Sequence, residues 1–381
     1  MKLTVSEKHI GLRIALTAVA FVIAVVAFTY GVTRIGHKDP GYHNIEAKVA
    51  ADTILMNKAV TLKYWFDGKS NAIKQGINAV TEVYSPVLSA TYRELDHQNT
   101  HDGVVSIATL NQNQGQELTV SPQLYSVLKD AYRRTLEQKG YNMFAGALYA
   151  EWQSILILDE PADFDPANNP DQAKRISEIA SVVSDLSNFS LEFSDSSCSV
   201  RFSVSDKYVR FCLDHEINAP VLDLNLLKDA YMLEMVASGL GRFRDGYLYT
   251  AEGTVLNMRQ SGTLGYDMYT FEDGKATVYA TADMEGAFSG TTFTAFGMGS
   301  HYGYALDGHF RHLYFDVRTG EFTDVLLSAT VLSRDNNPVE DVYQTLILNT
   351  LHTEKDVASY AASLEKSGML VSYVFQSASD K

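Results

Sequence analysis

The chain of 381 residues is 46% hydrophobic and 20% charged, with 25 Gly and 8 Pro. It can bury a sizeable core, which excludes collagen-like, low-complexity and wholly disordered chains, and at about 150 residues per domain it has room for two or three domains or one large one. Its 31 Lys and Arg against 46 Asp and Glu give a net charge of −15, which argues against a nucleic-acid partner, because a phosphate backbone needs clustered cations.

The charge is unevenly spread. Residues 1–38 hold Lys2, Lys8, Arg13, Arg34 and Lys38 against Glu7 alone, which leaves 26 basic and 45 acidic residues for the rest (31 minus 5, 46 minus 1). Residues 14–32, IALTAVAFVIAVVAFTYGV, form 19 positions without a charge. At about 1.5 Å per residue this run nearly crosses a hydrocarbon layer of about 30 Å, and it exceeds the roughly 7–15 apolar residues of a cleaved signal peptide. An uncleaved anchor is therefore expected, with a cleaved signal as the alternative. The basic residues ahead of the run predict a cytoplasmic N-terminus, a single pass through the cell membrane and an extracytoplasmic domain, although Arg34 and Lys38 reduce the asymmetry. The expected division is a cytoplasmic segment 1–13, an anchor 14–33, a linker 34–50 and a domain 51–377.

Within that domain, residues 53–66 (TILMNKAVTLKYWF) read as a strand closed by an Asp67-Gly68 turn. Ser70 is placed to cap a helix bearing Ile73, Ile77, Val80 and Tyr84 at helical spacing. Residues 97–102 (HQNTHD) read as a polar loop. Ser121-Pro122 pairs an N-cap with a first-turn proline, and Leu124, Val127, Leu128, Ala131 and Leu136 are expected to form one apolar stripe. Residues 162–171 (ADFDPANNPD) read as a loop between subdomains that leads into a helix carrying Ile176, Ile179 and Val183.

The only cysteines, Cys198 and Cys212, lie in CSVRFSVSDKYVRFC. Alternating apolar residues around Ser205-Asp206 read as a hairpin across which the two thiols face each other, giving either a disulfide outside the cytoplasm or two buried free thiols. Residues 223–237 read as a helix, and residues 247–329, rich in Thr, Tyr, Phe and Gly, as mostly sheet. Pro338 starts a helix carrying Val342 and Leu346. Val357, Ala361 and Leu364 mark another helix, and residues 369–375 a last strand. Strands and helices interleave without regular βαβ spacing, so the fold class is α+β.

Common catalytic signatures are absent: there is no GxGxxG opening a helix, no GxxxxGK[ST], no HExxH, no GxSxG and no CxxC. Three local patterns carry possible chemistry. Asp341 and Thr345 stand four apart on one helix, two hard oxygen ligands suited to Mg²⁺ or simply a solvated face. HLYFDVRTG, residues 312–320, holds Asp316 and Thr319-Gly320, which also suit a plain β-turn. Asp223 precedes a helix, where it also suits an N-cap.

Taken in order, these patterns resemble the ApbE family, the FAD:protein FMN transferases. The resemblance runs over residues 50–375. MNKAVTLKYWFDG resembles an opening strand that normally reads M-G-T, TLNQN a short Leu-Asn segment, and VSPQLYSVLKDAYRRT the V-S-P-x-L-Y helix. Residues 145–152 fall at the G-P-L…W stretch. VLDLNLLKDAY resembles D-L-G-G-x-x-K-G-Y, HLYFDVRTG resembles H-x-x-D-P-x-T-G, and VEDVYQTLIL resembles A-D-x-x-x-T-A. The resemblance implies an ApbE-like fold of mixed sheets with flanking helices. It also implies an enzyme that binds FAD with Mg²⁺, cleaves the pyrophosphate, and joins FMN through a phosphoester to Thr or Ser of a partner flavoprotein or membrane redox complex. By the same resemblance Asp341, Thr345 and the main-chain carbonyl of Lys228 hold the metal. Asp223, Asn225, Tyr231, Thr319 and Gly320 bind the nucleotide, and His312 and Asp316 are catalytic.

The nucleotide motifs depart from the family's pattern. Asn225-Leu226 stands for Gly-Gly, Asp229-Ala230 for Lys-Gly, Val317 for Pro, and Met56-Asn57-Lys58 for M-G-T. Counting back three from Asp316 reaches Leu313, so His312 is one position out of register, which in a strand turns it to the opposite face unless a bulge intervenes. The alternative function is therefore a catalytically degenerate module that binds flavin or scaffolds a complex at the cell surface. Ser289-Gly290-Thr291-Thr292 also resembles the acceptor sequence of such transferases, which allows self-flavinylation; a Gly/Thr-rich turn within the sheet is the plainer reading.

Overall fold

The computed structural model describes residues 19–25, 28, 37–48, 59–272, 275–294 and 303–376. In chain order they form β1 (Gly41–Ile45), β2 (Val60–Phe66), α1 (Ser70–Leu95), α2 (Ile107–Gln112), β3 (Glu117–Thr119), α3 (Pro122–Glu137), α4 (Gly146–Leu156), α5 (Pro170–Ser184), β4 (Phe189–Ser194), β5 (Ser199–Val204), α6 (Asp206–Asp214) and α7 (Lys228–Gly239). There follow β6 (Gly246–Thr250), β7 (Val255–Asn257), β8 (Thr263–Glu272), β9 (Lys275–Glu285), β10 (Phe288–Thr294), β11 (Tyr304–Leu306), β12 (His309–Arg311), β13 (Leu326–Ser333), α8 (Pro338–Asn349), α9 (Glu354–Lys366) and β14 (Leu370–Phe375).

The main sheet has seven strands in the order β1-β2-β6-β7-β10-β13-β14, every neighbouring pair antiparallel. The α+β reading holds. Alternation along β2 places Val60, Leu62 and Tyr64 on the inner face, where they join Val80, Tyr84 and Leu88 of α1 in the core. The Tyr84 hydroxyl donates to the Val60 carbonyl at 2.9 Å, tying helix to strand. β10 and β13 are buried along their whole length, and α8 packs on both and on α7. Separate small sheets β3-β5-β4, β8-β9 and β11-β12 flank this core.

Local chemistry explains most elements. Ser121 accepts from the Leu124 amide and Pro122 opens α3, while Asn337 accepts from the Glu340 amide ahead of Pro338; a side-chain acceptor followed by a residue with no amide hydrogen satisfies a helix start. Ser70 does not cap α1; Lys69 occupies that position, and the Ser70 hydroxyl accepts from the Lys38 amide instead. Described strand begins at Val60, and residues 53–58 of the expected strand lie outside the described residues.

The cysteine hairpin is corrected. The hairpin is β4-β5, upstream of the expected one, and Ser205 is the N-cap of α6, accepting from the Tyr208 amide at 3.2 Å. Ser-Asp after a strand suits a turn and a helix cap equally, and here the cap prevails. Cys198 sits in the β4–β5 turn and Cys212 on α6, both as free thiols. The helix expected over residues 223–237 starts at Lys228, preceded by a short turn of 3₁₀ helix at Asn225–Leu227. Among the described residues no helix is long and apolar enough to cross a membrane, and most of the expected anchor at 14–33 lies outside them.

Candidate functional site

Between α7, α8, β10 and the 97–102 loop lies a cleft of about 330 Å³, lined among others by His97, Asp223, Lys228, Asp229, Leu313 and Tyr314. Its walls come from elements far apart in sequence. The loop after α1 delivers His97 and Gln98, and the loop between β12 and β13 delivers Leu313 and Tyr314. Thr291 of β10 and Val342 of α8 close one side.

Asp223 does not cap α7. Its carboxylate accepts from the Asn225 amide at 2.8 Å, closing a local turn. Asn225 takes a left-handed φ of 49°, a conformation that asparagine tolerates where most side chains do not. Its side-chain amide donates to the carbonyls of Asn142 at 3.1 Å and Asp223 at 2.9 Å. The replacement of a Gly-Gly pair thus keeps the turn but fills it: Asn225 is anchored by its side chain, and Leu226 projects onto the cleft lining.

The cleft is acidic. Asp223, Asp229 and Glu252 line it against the single ammonium of Lys228, so a phosphate entering alone meets net repulsion. His97 lies 3.6 Å from Asp223. Burial holds its imidazole below its ordinary pKa, with Asp223 opposing the shift and Lys228 adding to it.

Beside this lining lies Asp341. It is fully buried, which overturns the solvated-face reading of the Asp341–Thr345 pair. One carboxylate oxygen accepts from the Ser289 hydroxyl, whereas Oδ1 has no hydrogen-bond partner among the described residues. Burial pushes its pKa up to about 7, partly offset by bonds from Ser289 and Ser333. The Thr345 hydroxyl donates to the Asp341 carbonyl at 2.9 Å, which keeps its oxygen one turn along the same face. Ser289 and Thr291 are two apart on β10 and share a face. Ser289, which binds the Asp341 carboxylate, is two residues from the cleft-lining Thr291, and Val342 beside Asp341 also lines the cleft, while Asp341 itself is buried and not part of that lining.

An orphaned buried carboxylate oxygen, a hydroxyl four residues on and an acidic cleft make an all-oxygen donor set that fits a hard cation such as Mg²⁺. Among the described residues no group of three or more His, Cys, Asp or Glu side chains is arranged to hold a metal ion. Mg²⁺ commonly takes only one or two carboxylates, filling its shell with water and phosphate.

The catalytic and several nucleotide expectations are not brought here. His312 lies just past β12 and is caged by the rings of Phe293 and Phe322, each 5.1 Å away. Its Nδ1 accepts from the Tyr314 amide at 3.0 Å, which fixes the ring inward and turns Leu313 onto the cleft. Burial, with the Arg311 charge beside it, lowers its pKa to about 3. Asp316 is buried and held by Arg318 at 2.6 Å, with Gly320 closing the turn onto its carbonyl at 2.7 Å. The segment thus forms a local turn in which the Thr319 and Gly320 amides both donate to the Asp316 carbonyl. Thr319 and Gly320 line a different pocket with Arg311 and Trp152. Tyr231 is buried in the core, its hydroxyl donating to Asp130 at 2.7 Å.

The acceptor-like Ser289-Gly290-Thr291-Thr292 forms part of central strand β10, each residue buried, and so offers no hydroxyl to solvent. His97, Gln98, Glu252 and Tyr314 were not singled out from sequence; the polar run HQNTHD was the sole signal for any of them, since only the fold shows which loop rims a cleft.

Comparison of the sequence with protein-family models gives no match, and comparison with curated proteins gives none either. Solved structures do match. The ApbE protein of Thermotoga maritima superposes with a TM-score of 0.60 at 13% identity, over 88% of this chain and 94% of that one. The apo flavinyl transferase ApbE of Pseudomonas stutzeri gives 0.56 at 13% identity, over 89% and 92%. The flavin transferase ApbE of Vibrio cholerae gives 0.55 at 13% identity, over 90% and 95%. The chain therefore has the ApbE fold over about nine-tenths of its length, in a strongly divergent sequence.

Proposed function

We propose that this protein is a membrane-anchored, extracytoplasmic FMN transferase-like protein that binds FAD with Mg²⁺ in the cleft beside Asp341. The observation that carries the reading is the buried Asp341 carboxylate, with one oxygen lacking a hydrogen-bond partner among the described residues, bound by strand β10 and followed by Val342, both of which contribute to the lining of an acidic cleft. Asp341, Thr345 and the Lys228 carbonyl would hold the metal, which when bound neutralises pyrophosphate charge. Asp223 and Asn225 shape the turn that faces the nucleotide, and Lys228 offers an ammonium to it. The partner would be a flavoprotein or a membrane redox complex offering a Thr or Ser hydroxyl.

Transfer also needs a group to take the hydroxyl proton, and general bases must lie within hydrogen-bond reach of it. His312 cannot serve, because it faces an aromatic cage and its place at the cleft is taken by Leu313. His97 and Asp223, 3.6 Å apart on the cleft lining, are the pair we assign to that task. The inward turn of His312 favours a second reading, a flavin-binding or scaffolding module without transfer. Incubation with FAD, Mg²⁺ and a Thr-bearing acceptor peptide separates the two. AMP release with flavinylated peptide supports transfer, FAD binding without AMP supports a flavin-binding module, and no FAD binding at millimolar concentration refutes transfer and flavin binding alike, leaving scaffolding.

A further inference from the structure

The main sheet has a second face, away from the helices. Cross-strand partners share a face, and the register pairs Tyr42 with Trp65, Lys63 with Tyr247, and Thr61 with Tyr249. Since Val60, Leu62 and Tyr64 point into the core, these partners all lie on the outer side. Their rings form a continuous cluster: Tyr42 packs on Trp65 at 5.1 Å and on Tyr247 at 5.2 Å, and Tyr247 on Tyr249 at 5.9 Å. Cations are set among them. Arg259 lies 4.3 Å from the Trp65 ring, and Lys63 about midway over Tyr247 and Tyr249 at 5.7 and 5.5 Å. The Trp65 indole donates to Asp67 at 3.0 Å, and a groove of about 280 Å³ lined by Lys63, Tyr247, Tyr249 and Tyr269 opens beside the rings, with Asp267 on its rim.

Tyr, Trp, Lys and Arg together form the side-chain set that settles at a membrane–water boundary, where amphipathic rings sit at headgroup level and cations meet lipid phosphate. The position of the face in the chain agrees. Tyr42 belongs to the first described strand, and eight residues, 33–40, separate that strand from the apolar run. A chain extends at most about 3.6 Å per residue, so β1 stays within about 30 Å of the end of that run. We propose that this aromatic and basic sheet face docks on the lipid headgroups of the membrane from which the chain emerges. The inference rests on the anchor in the proposed function and goes beyond it, since it orients the domain with the β1-β2-β6 edge against the lipid.

The full chain reconstituted in vesicles of phosphatidylcholine with phosphatidylglycerol supplies the test. Trp65 and Trp152 are the only tryptophans; Trp152 is 2% exposed and donates to the Gly320 carbonyl, so it serves as a shielded reference. Lipids brominated high on the acyl chain should quench a component of the emission that disappears in Trp65→Phe, and Lys63→Ala with Arg259→Ala should weaken that quenching. A chain that floats with the vesicles yet shows the same quenching as Trp65→Phe overturns the docking and leaves the anchor standing. Failure to float overturns both. Efficient self-crosslinking through Tyr42 or Tyr247 in place of lipid quenching assigns the face to a second copy and overturns the proposal.

Discussion

Asp341→Asn separates the cost of a buried charge from the binding of a cation. In the metal-free protein burial raises the Asp341 pKa from 3.8 to about 7. Between those values the unfolded chain has already lost its proton while the folded one keeps it, so stability falls as pH rises from 4 and levels off above 7. At 1.36 kcal/mol per tenfold change in proton affinity, the full loss is on the order of 4 kcal/mol, an upper bound for one carboxylate. Asparagine has the same shape and no charge. In EDTA it should lead wild type by only about 2–3 °C at pH 5, where less than half of the loss has accrued, and by roughly 5–8 °C at pH 8, at about 2 °C per kcal/mol for a chain of this size. Mg²⁺ should narrow that lead at pH 8 by more than half. At 100 times its dissociation constant the ion adds about 2.7 kcal/mol to wild type and nothing to the variant. Differential scanning calorimetry at the two pH values, with and without Mg²⁺, reads all four cases. An equal melting shift at pH 5 and pH 8 in EDTA, or an undiminished Mg²⁺ response in the variant, would refute the reasoning.

Other perturbations probe the rest of the argument. His312→Ala empties the aromatic cage and should lower stability by about 2–4 kcal/mol in urea unfolding, with FAD affinity by titration unchanged; lost affinity at unchanged stability would return the residue to the site. A Cβ on Gly146 would sit 2.1 Å from the Pro220 carbonyl oxygen, so Gly146→Ala should cost about 1–3 kcal/mol by overpacking, and a neutral result would show that the α4 start is placed wrongly. Cys198 and Cys212 should both alkylate in unfolded, unreduced protein, as mass spectrometry can verify; a mass two hydrogens short of the dithiol would contradict their positions.

The helices were legible wherever one residue type has one physical use. Ser121-Pro122 reads as a helix start because it couples a side-chain acceptor with a missing amide hydrogen, and Pro338 alone marks the start of α8, whose Asn337 cap only the structure shows. The Asp341–Thr345 spacing was legible for the same reason, since a four-residue interval on a helix fixes a shared face. Ser205-Asp206 was misread because a turn and a cap use the same residues. Tyr231, Thr319 and Gly320 were assigned to the nucleotide by motif order alone, and order along the chain does not say which side of a helix or turn meets a cleft. Tyr231 meets Asp130 across α3, and Gly320 closes on Trp152. For His312 the counting argument assumes a strand, but residues 312–325 lie between β12 and β13; the inward imidazole and the cleft-lining Leu313 come from the loop's own hydrogen bonding, not from strand alternation.

Strand β10 links interior and rim. Ser289 clasps the helix carboxylate while Thr291, two residues on, reaches both the cleft and Thr254, at 3.0 Å. Occupancy of the site is consequently felt by the central strand, and a seated cation or nucleotide should slow amide exchange along β10 and its neighbours β7 and β13. Ligand discovery for this chain can therefore proceed by deuterium uptake across a panel of nucleotides, whether or not any of them is turned over.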